Sequence, residues 1–265
     1  MKRRSLWFVI CFLLLALCAG CGNVQNPADT QNTPENLTEK EGEDTMESIV
    51  LTKQEISLLS AAYPDAERIE ENRLFDHEVA GLYQLRAGIA YLEEKYPQSQ
   101  LEVTAFLPAN QFTRWAELTF EDGGGSAYRL TVTPTETGFD CADDYYGALL
   151  REPYDQRIAE VLAQSGYTVL AFTQFPSPAG AEIGAGTSVD QLIEMGSRLT
   201  RNTHLFTVLS DGREAAASGM QAGLAAEGFY GSFTLYFAPQ LAGDGAAMEA
   251  NRTAWDYVTF NCFDS

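Results

Sequence analysis

Residues 114–133 read Arg-Trp-Ala-Glu-Leu-Thr-Phe-Glu-Asp-Gly-Gly-Gly-Ser-Ala-Tyr-Arg-Leu-Thr-Val-Thr. The runs 114–121 and 127–133 alternate apolar and polar side chains, as strands with one buried face do. Between them Asp122-Gly123-Gly124-Gly125-Ser126 supplies glycines that tolerate positive φ, so the two runs are expected to fold back as an antiparallel hairpin. Upstream, 101–107 (LEVTAFL) reads as a third strand, reached from a long helix over Asp76–Tyr96. In that helix Leu82, Leu85, Ile89, Leu92 and Tyr96 recur at steps of three and four, and Pro97 stops it. A shorter helix fits 53–62.

Downstream of Pro134 a helical region is expected from about Asp143 to Gln164, broken near Pro153. Strands follow at 167–175, 203–209, 232–238 and 256–262. A helix over Ser188–Thr200 carries Ser188 and Gln191 in the spacing of a capping box, and an alanine-rich helix covers Arg213–Glu227. Helix and meander come first, then something closer to βαβ. The fold class is therefore α+β: a mixed, mainly antiparallel sheet packed with helices. It occupies residues 47–265 as one domain, or as two packed subdomains dividing near 165.

The 265 residues are 45% hydrophobic, enough for an ordinary core. Lys and Arg total 17 against 37 Asp and Glu; loss of Lys2, Arg3 and Arg4 would leave 14 against 37, a formal charge of −23. Such a field repels phosphate backbones and anionic lipid surfaces, which disfavours nucleic acid as a partner and polybasic docking to membranes.

Lys2-Arg3-Arg4 precede an uncharged run from Leu6 to Ala19, shorter than the roughly 20 apolar residues of a membrane-spanning helix. Basic head, apolar middle and small-residue end are the parts of an export signal. The end, Leu17-Cys18-Ala19-Gly20-Cys21, resembles the lipobox of bacterial lipoproteins, with Cys18 standing where that motif usually has Leu. The resemblance implies diacylglyceryl attachment to Cys21 and cleavage after Gly20. Residues 1–20 are then a leader, 21–46 a disordered polar tether, and the body sits at the extracytoplasmic face of the cell membrane. Cys18 and Cys21 also make a Cys-x-x-Cys, which cleavage would destroy.

Ala90-Tyr91-Leu92-Glu93-Glu94-Lys95-Tyr96, followed by strands and then by Asp143-Asp144-Tyr145-Tyr146, is similar to uncharacterised lipoproteins of Gram-positive bacteria with a helix-then-sheet ectodomain, over about residues 75–165. That resemblance implies place and fold, and no activity. Gly138-Phe139-Asp140-Cys141-Ala142-Asp143 resembles the opening of the catalytic motif of the NlpC/P60 cell-wall peptidases, which implies Cys141 as nucleophile and His204 as base. Ala142-Asp143 replace that family's Ser-Gly, and Asp140, Asp143 and Asp144 crowd the thiol with negative charge that raises a cysteine pKa.

Cys141 and Cys262 are the thiols remaining after cleavage; they pair as a disulfide or are separate buried residues. Asp140, Asp143 and Asp144 are carboxylates of the kind calcium takes, or else one of them caps the following helix. With His77 and His204 the only histidines, a histidine-based zinc site is not expected. Gly184-Ala185-Gly186 lacks the third small residue of a dinucleotide fingerprint and reads as a loop. Tyr145, Tyr146, Tyr154, Tyr230 and Tyr236 offer amphipathic contacts. The expectation is a lipid-anchored, cofactor-free binding module of the envelope. Its partner is an envelope protein, peptide or wall component; a cell-wall cysteine hydrolase is the alternative.

Overall fold

The glycine-rich turn and its flanking runs form the hairpin their sequence demands. The computed structural model describes residues 49–263; within it β2 (Ala116–Glu121) and β3 (Ala127–Pro134) pair antiparallel, with Ala116 opposite Val132 and Glu121 opposite Ala127. Asp122 organises the turn: its Oδ1 accepts from the backbone N–H of Gly124 at 2.9 Å and of Ser126 at 3.0 Å. Gly125 takes φ +78°, a value a side chain would disfavour. β1 (Glu102–Leu107) adds beside β2 and β4 (Phe139–Asp143) beside β3, giving a fully antiparallel sheet in the order β1-β2-β3-β4.

Alternation then sorts the side chains of this sheet. Leu118, Phe120, Leu130 and Val132 turn inward and pack with Leu82, Leu85 and Leu92 of α3 (Asp76–Lys95). Glu117, Thr119, Arg129 and Thr131, one residue out of phase, remain half-buried or exposed. α1 (Lys53–Ala62), held by a Thr52 and Glu55 capping box, and α2 (Ala66–Glu70) complete the first core. α3 approaches the sheet closely at Gly88, where an added Cβ would lie 2.7 Å from a Leu118 methyl.

α4 (Tyr145–Gln164) belongs to both halves: Tyr145 joins the first core, while Tyr146, Leu150, Tyr154 and Ile158 join the second. The second half contains β5 (Leu170–Gln174), α5 (Val189–Glu194), β6 (Asn202–Thr207), α6 (Arg213–Ala226), β7 (Gly231–Phe237), α7 (Gly245–Glu249) and β8 (Tyr257–Cys262), with sheet order β5-β6-β7-β8. β6 and β7 run parallel, as a strand-helix-strand crossover through α6 requires, and the other two pairings are antiparallel. Leu205, Phe233, Leu235 and Phe260 face α4 and α6; Phe206 and Tyr236 face the other way, against Met248 and Trp255.

The α+β class stands, with two sheets in place of one. Three local expectations are corrected. The helix expected from about Asp143 begins at Tyr145, and residues 139–143 form the strand β4, an element not expected there. α4 runs unbroken through Pro153, which sits on its exposed side. Proline there forfeits only the bond to the Leu149 carbonyl, and buried Leu150, Tyr154 and Ile158 hold the helix to the core on both sides of it. The helix capped by Ser188 stops at Glu194, followed by a 3₁₀ turn at Gly196–Arg198. The expected leader, tether and lipidated Cys21 lie outside the described residues. Among the described residues no helix is long and apolar enough to cross a membrane.

Candidate functional site

The densest polar centre forms where the first sheet meets the second half of the chain. β4 alternates, so Cys141 and Asp143 point inward while Asp140 and Ala142 point outward. Asp143 is fully buried, and burying a lone carboxylate is costly unless it is paired. Its Oδ2 accepts from Lys95 Nζ at 2.7 Å and from the Tyr91 hydroxyl at 3.0 Å. Its Oδ1 accepts from the Tyr96 hydroxyl at 2.9 Å and from the backbone N–H groups of Tyr145 and Tyr146 at 2.9 and 3.4 Å, capping α4. The Asp143 backbone also bridges Ala179 in both directions.

Lys95 is equally committed. Besides Asp143, its ammonium donates toward the Tyr91 hydroxyl at 2.7 Å, the Gly180 carbonyl at 2.7 Å and the Ala179 carbonyl at 3.2 Å. Burial pushes the Lys95 ammonium below its ordinary range, and the Asp143 hydrogen bond and charge oppose that shift. Burial, reinforced by the Asp143 charge, holds the Tyr91 and Tyr96 phenols far above theirs. Donors and acceptors here are saturated, so the cluster fastens α3, β4, α4 and the 179–180 segment together rather than exchanging protons.

Beside it lies an open cavity of about 450 Å³, lined by Tyr91, Glu94, Lys95, Glu182, Gly184 and Thr187. Its outer wall is the loop after β5, anchored by buried Ile183 and by the Gly184 N–H donating to the Thr187 hydroxyl at 3.0 Å. Glu94 and Glu182 are exposed there and Lys95 is already spoken for, so the cavity favours amines and hydroxyls over anions.

The residues expected from sequence are dispersed. Cys141 lies on β4 in the first core; His204 lies on β6, on the face of the second sheet that carries Phe206. His204 Nδ1 is 2.7 Å from Glu249 Oε2 and its ring packs edge-on against Tyr236. Burial, helped by the charges of Asp140 and Asp143, pushes the Cys141 thiol up to about 11, opposite to what a nucleophile needs. The Cys141 and His204 dyad is therefore not assembled. Cys141 and Cys262 are free thiols buried in different cores, the second of the two alternatives that the sequence leaves open. Asp140 is exposed, Asp143 is consumed by Lys95, and Asp144 accepts from the Arg129 backbone N–H at 2.8 Å. The three do not converge, and among the described residues no cluster of acidic, cysteine or histidine side chains could hold a metal ion.

The tyrosines do not converge either: Tyr145 lies in the first core, Tyr146 and Tyr154 in the second, Tyr236 on the opposite face, and Tyr230 packs beside Phe263. What sequence reasoning missed is Lys95 with Tyr91 and Tyr96. Tyr91 and Lys95 are spaced i, i+4 at a helix C-terminus, the only local hint available.

A second cavity, about 430 Å³, opens between α4 and the start of α7, with Arg151, Asp155, Phe172 and Asp244 in its walls. Arg151 lies over the Phe172 ring at 4.9 Å. Burial pushes the Asp155 carboxyl up to about 6, and its Oδ1 is buried without a hydrogen-bond partner. A carboxyl raised in the folded chain binds protons there that the unfolded chain has released, so its contribution to stability falls as pH rises from about 4 to about 6. Asp155→Asn should flatten that part of the curve and stabilise the chain at pH 7 by about 1–2 kcal/mol. Urea titrations of both proteins at pH 4.5 and pH 7 check this, and an equal loss in both across that range refutes it.

No family model, curated protein or solved structure matches the chain.

Proposed function

We propose that the chain is a lipoprotein held at the extracytoplasmic face of the membrane through Cys21, whose body is a non-catalytic binding module. The observation that carries the binding half is the outward face of the first sheet. There Glu117, Thr119, Arg129, Thr131, Thr133 and Asp140 stand half-buried or exposed on adjacent strands, with Glu117 opposite Thr131 and Thr119 opposite Arg129. Branched hydroxyls and both signs of charge on a rigid sheet suit a polar peptide or wall component. The saturated hydrogen bonding around Asp143 and the separation of Cys141 from His204 support binding over hydrolysis. The anchoring half rests on Lys2-Arg3-Arg4, the apolar run and Ala19-Gly20-Cys21.

Metabolic labelling with an alkyne fatty acid, followed by detergent phase partition, tests the anchor. The parent chain should carry label and enter the detergent phase, and Cys21→Ala should lose at least about tenfold in both. Equal labelling of the two would overturn the reading. For the face, Thr119→Arg with Thr131→Arg should abolish cosedimentation with purified peptidoglycan, or in-envelope crosslinking to a peptide partner, while leaving lipidation intact.

A further inference from the structure

Among the described residues, the β1–β2 connection gathers several exposed large apolar side chains. Leu107, Phe112 and Trp115 are exposed by 59%, 87% and 45% of their areas, and they lie within nine residues at one hairpin tip. The tip is ordered by its own hydrogen bonds: Asn110 Oδ1 accepts from the backbone N–H of Phe112 at 2.8 Å and of Thr113 at 3.1 Å, and the Asn110 N–H reaches the Thr113 carbonyl at 2.8 Å. A chain that fixes three large apolar side chains in water gains nothing from it in isolation.

We propose that Leu107–Trp115 is a bilayer-contact loop, with Phe112 and Trp115 entering the interfacial layer of the membrane that anchors the chain. This rests on the lipid-anchor reading above. Residues 103–116 contain no Asp or Glu, in a chain with 37 of them, and Arg114 gives the tip a positive charge. A strongly acidic molecule thus presents one apolar, non-acidic edge. Trp and Phe beside Arg is the composition that partitions into a headgroup region, where amphipathic rings are favoured.

The position of the tip agrees. The Ala109 N–H donates to Gln84 Oε1, while Arg86 Nη2 donates to the Val50 carbonyl at 2.8 Å. Gln84 and Arg86 are about 3 Å apart along α3, so the root of the loop and the start of the described chain are held at one level of the same helix. Residues 21–48 could span at most about 100 Å even when fully extended, so a lipid on Cys21 would keep the body within reach of the bilayer. The formal charge of −23 left after loss of Lys2, Arg3 and Arg4 makes zwitterionic lipid the better surface.

The test uses the full lipidated chain carrying Trp255→Phe, so that Trp115 is the one tryptophan after Cys21. It is reconstituted into phosphatidylcholine vesicles with plain or brominated acyl chains. Trp115 emission should be quenched about twofold or more by the brominated lipid, and Phe112→Asp, at a fully accessible position, should remove most of that quenching. Replacing half the lipid with phosphatidylglycerol should weaken it. Equal emission in plain and brominated vesicles, with the acyl mass present on the chain, overturns the loop proposal and leaves the anchor standing. Loss of quenching accompanied by a crosslinked dimer assigns the tip to a second copy instead. Absence of the acyl mass sinks the anchor, and the loop's placement with it.

Discussion

Asp143→Ala should destabilise the chain by roughly 3–5 kcal/mol, because it leaves the buried Lys95 ammonium without its counter-charge. For a body of this size that is a fall in melting temperature of roughly 6–20 °C. The magnitude follows from who is stranded. Lys95 and Asp143 expose 5% and none of their side chains, so water cannot take the place of the missing carboxylate. The Tyr91 and Tyr96 hydroxyls lose an acceptor as well, and α4 loses its cap. A cap alone accounts for about 1 kcal/mol, so the stranded ammonium should dominate.

Three further variants, Asp143→Asn, Lys95→Met and their combination, separate these contributions. Asp143→Asn keeps an oxygen for the α4 cap and removes the charge; it should cost less than alanine and still strand Lys95. Combining it with Lys95→Met removes both charges, and the double variant should be more stable than the sum of the singles predicts by roughly 1–3 kcal/mol. Guanidinium titrations monitored by circular dichroism give all four values. If Asp143→Ala lies within about 1 kcal/mol of the parent, the cluster is not the fastening between the halves.

Much of the scaffold was legible because its causes are local. The hairpin around Asp122-Gly123-Gly124-Gly125-Ser126 follows from alternation and turn chemistry, and the Ser188 with Gln191 cap forms as its spacing dictates. The centre was illegible because its causes are not. In Phe139-Asp140-Cys141-Ala142-Asp143 a carboxylate occupies an inward position, which breaks the apolar alternation of β4; the Lys95 that compensates it lies 48 residues upstream. α3 shows the same effect in milder form. Its apolar period points to Ile89 as a core residue, yet Ile89 is only half-buried and Gly88 takes the inward place, where an added Cβ would crowd the methyls of Leu118, Leu130 and Val132. Periodicity finds a face; it cannot find the gap between two faces. α2 and α7, five residues each, are too short for a period to show.

The second large effect is expected at Arg201, whose side chain is among the largest wholly buried in the described residues. Its guanidinium meets no carboxylate among the ion pairs of the described residues. Instead Nη1 donates to the Tyr154 hydroxyl at 3.0 Å, Nη2 to the Gly196 carbonyl at 3.0 Å, and Nε to the Leu199 carbonyl at 3.2 Å. Two of those acceptors are carbonyls of the 3₁₀ turn and its C-cap, where the backbone dipoles favour a cation; the Gly196 carbonyl also accepts from the Leu199 N–H at 3.5 Å. Arg201→Ala should therefore cost roughly 3–5 kcal/mol through the stranded acceptors and the cavity together. Arg201→Met decides which of two opposing effects wins. If desolvating the unpaired charge outweighed the hydrogen bonds, methionine would match or exceed the parent; since Tyr154 is fully buried and two carbonyls lose their donors, it should fall short by roughly 1–3 kcal/mol. The expected order in urea is parent, then methionine, then alanine. A methionine variant at least as stable as the parent would show that the guanidinium is tolerated in the second core rather than needed by it.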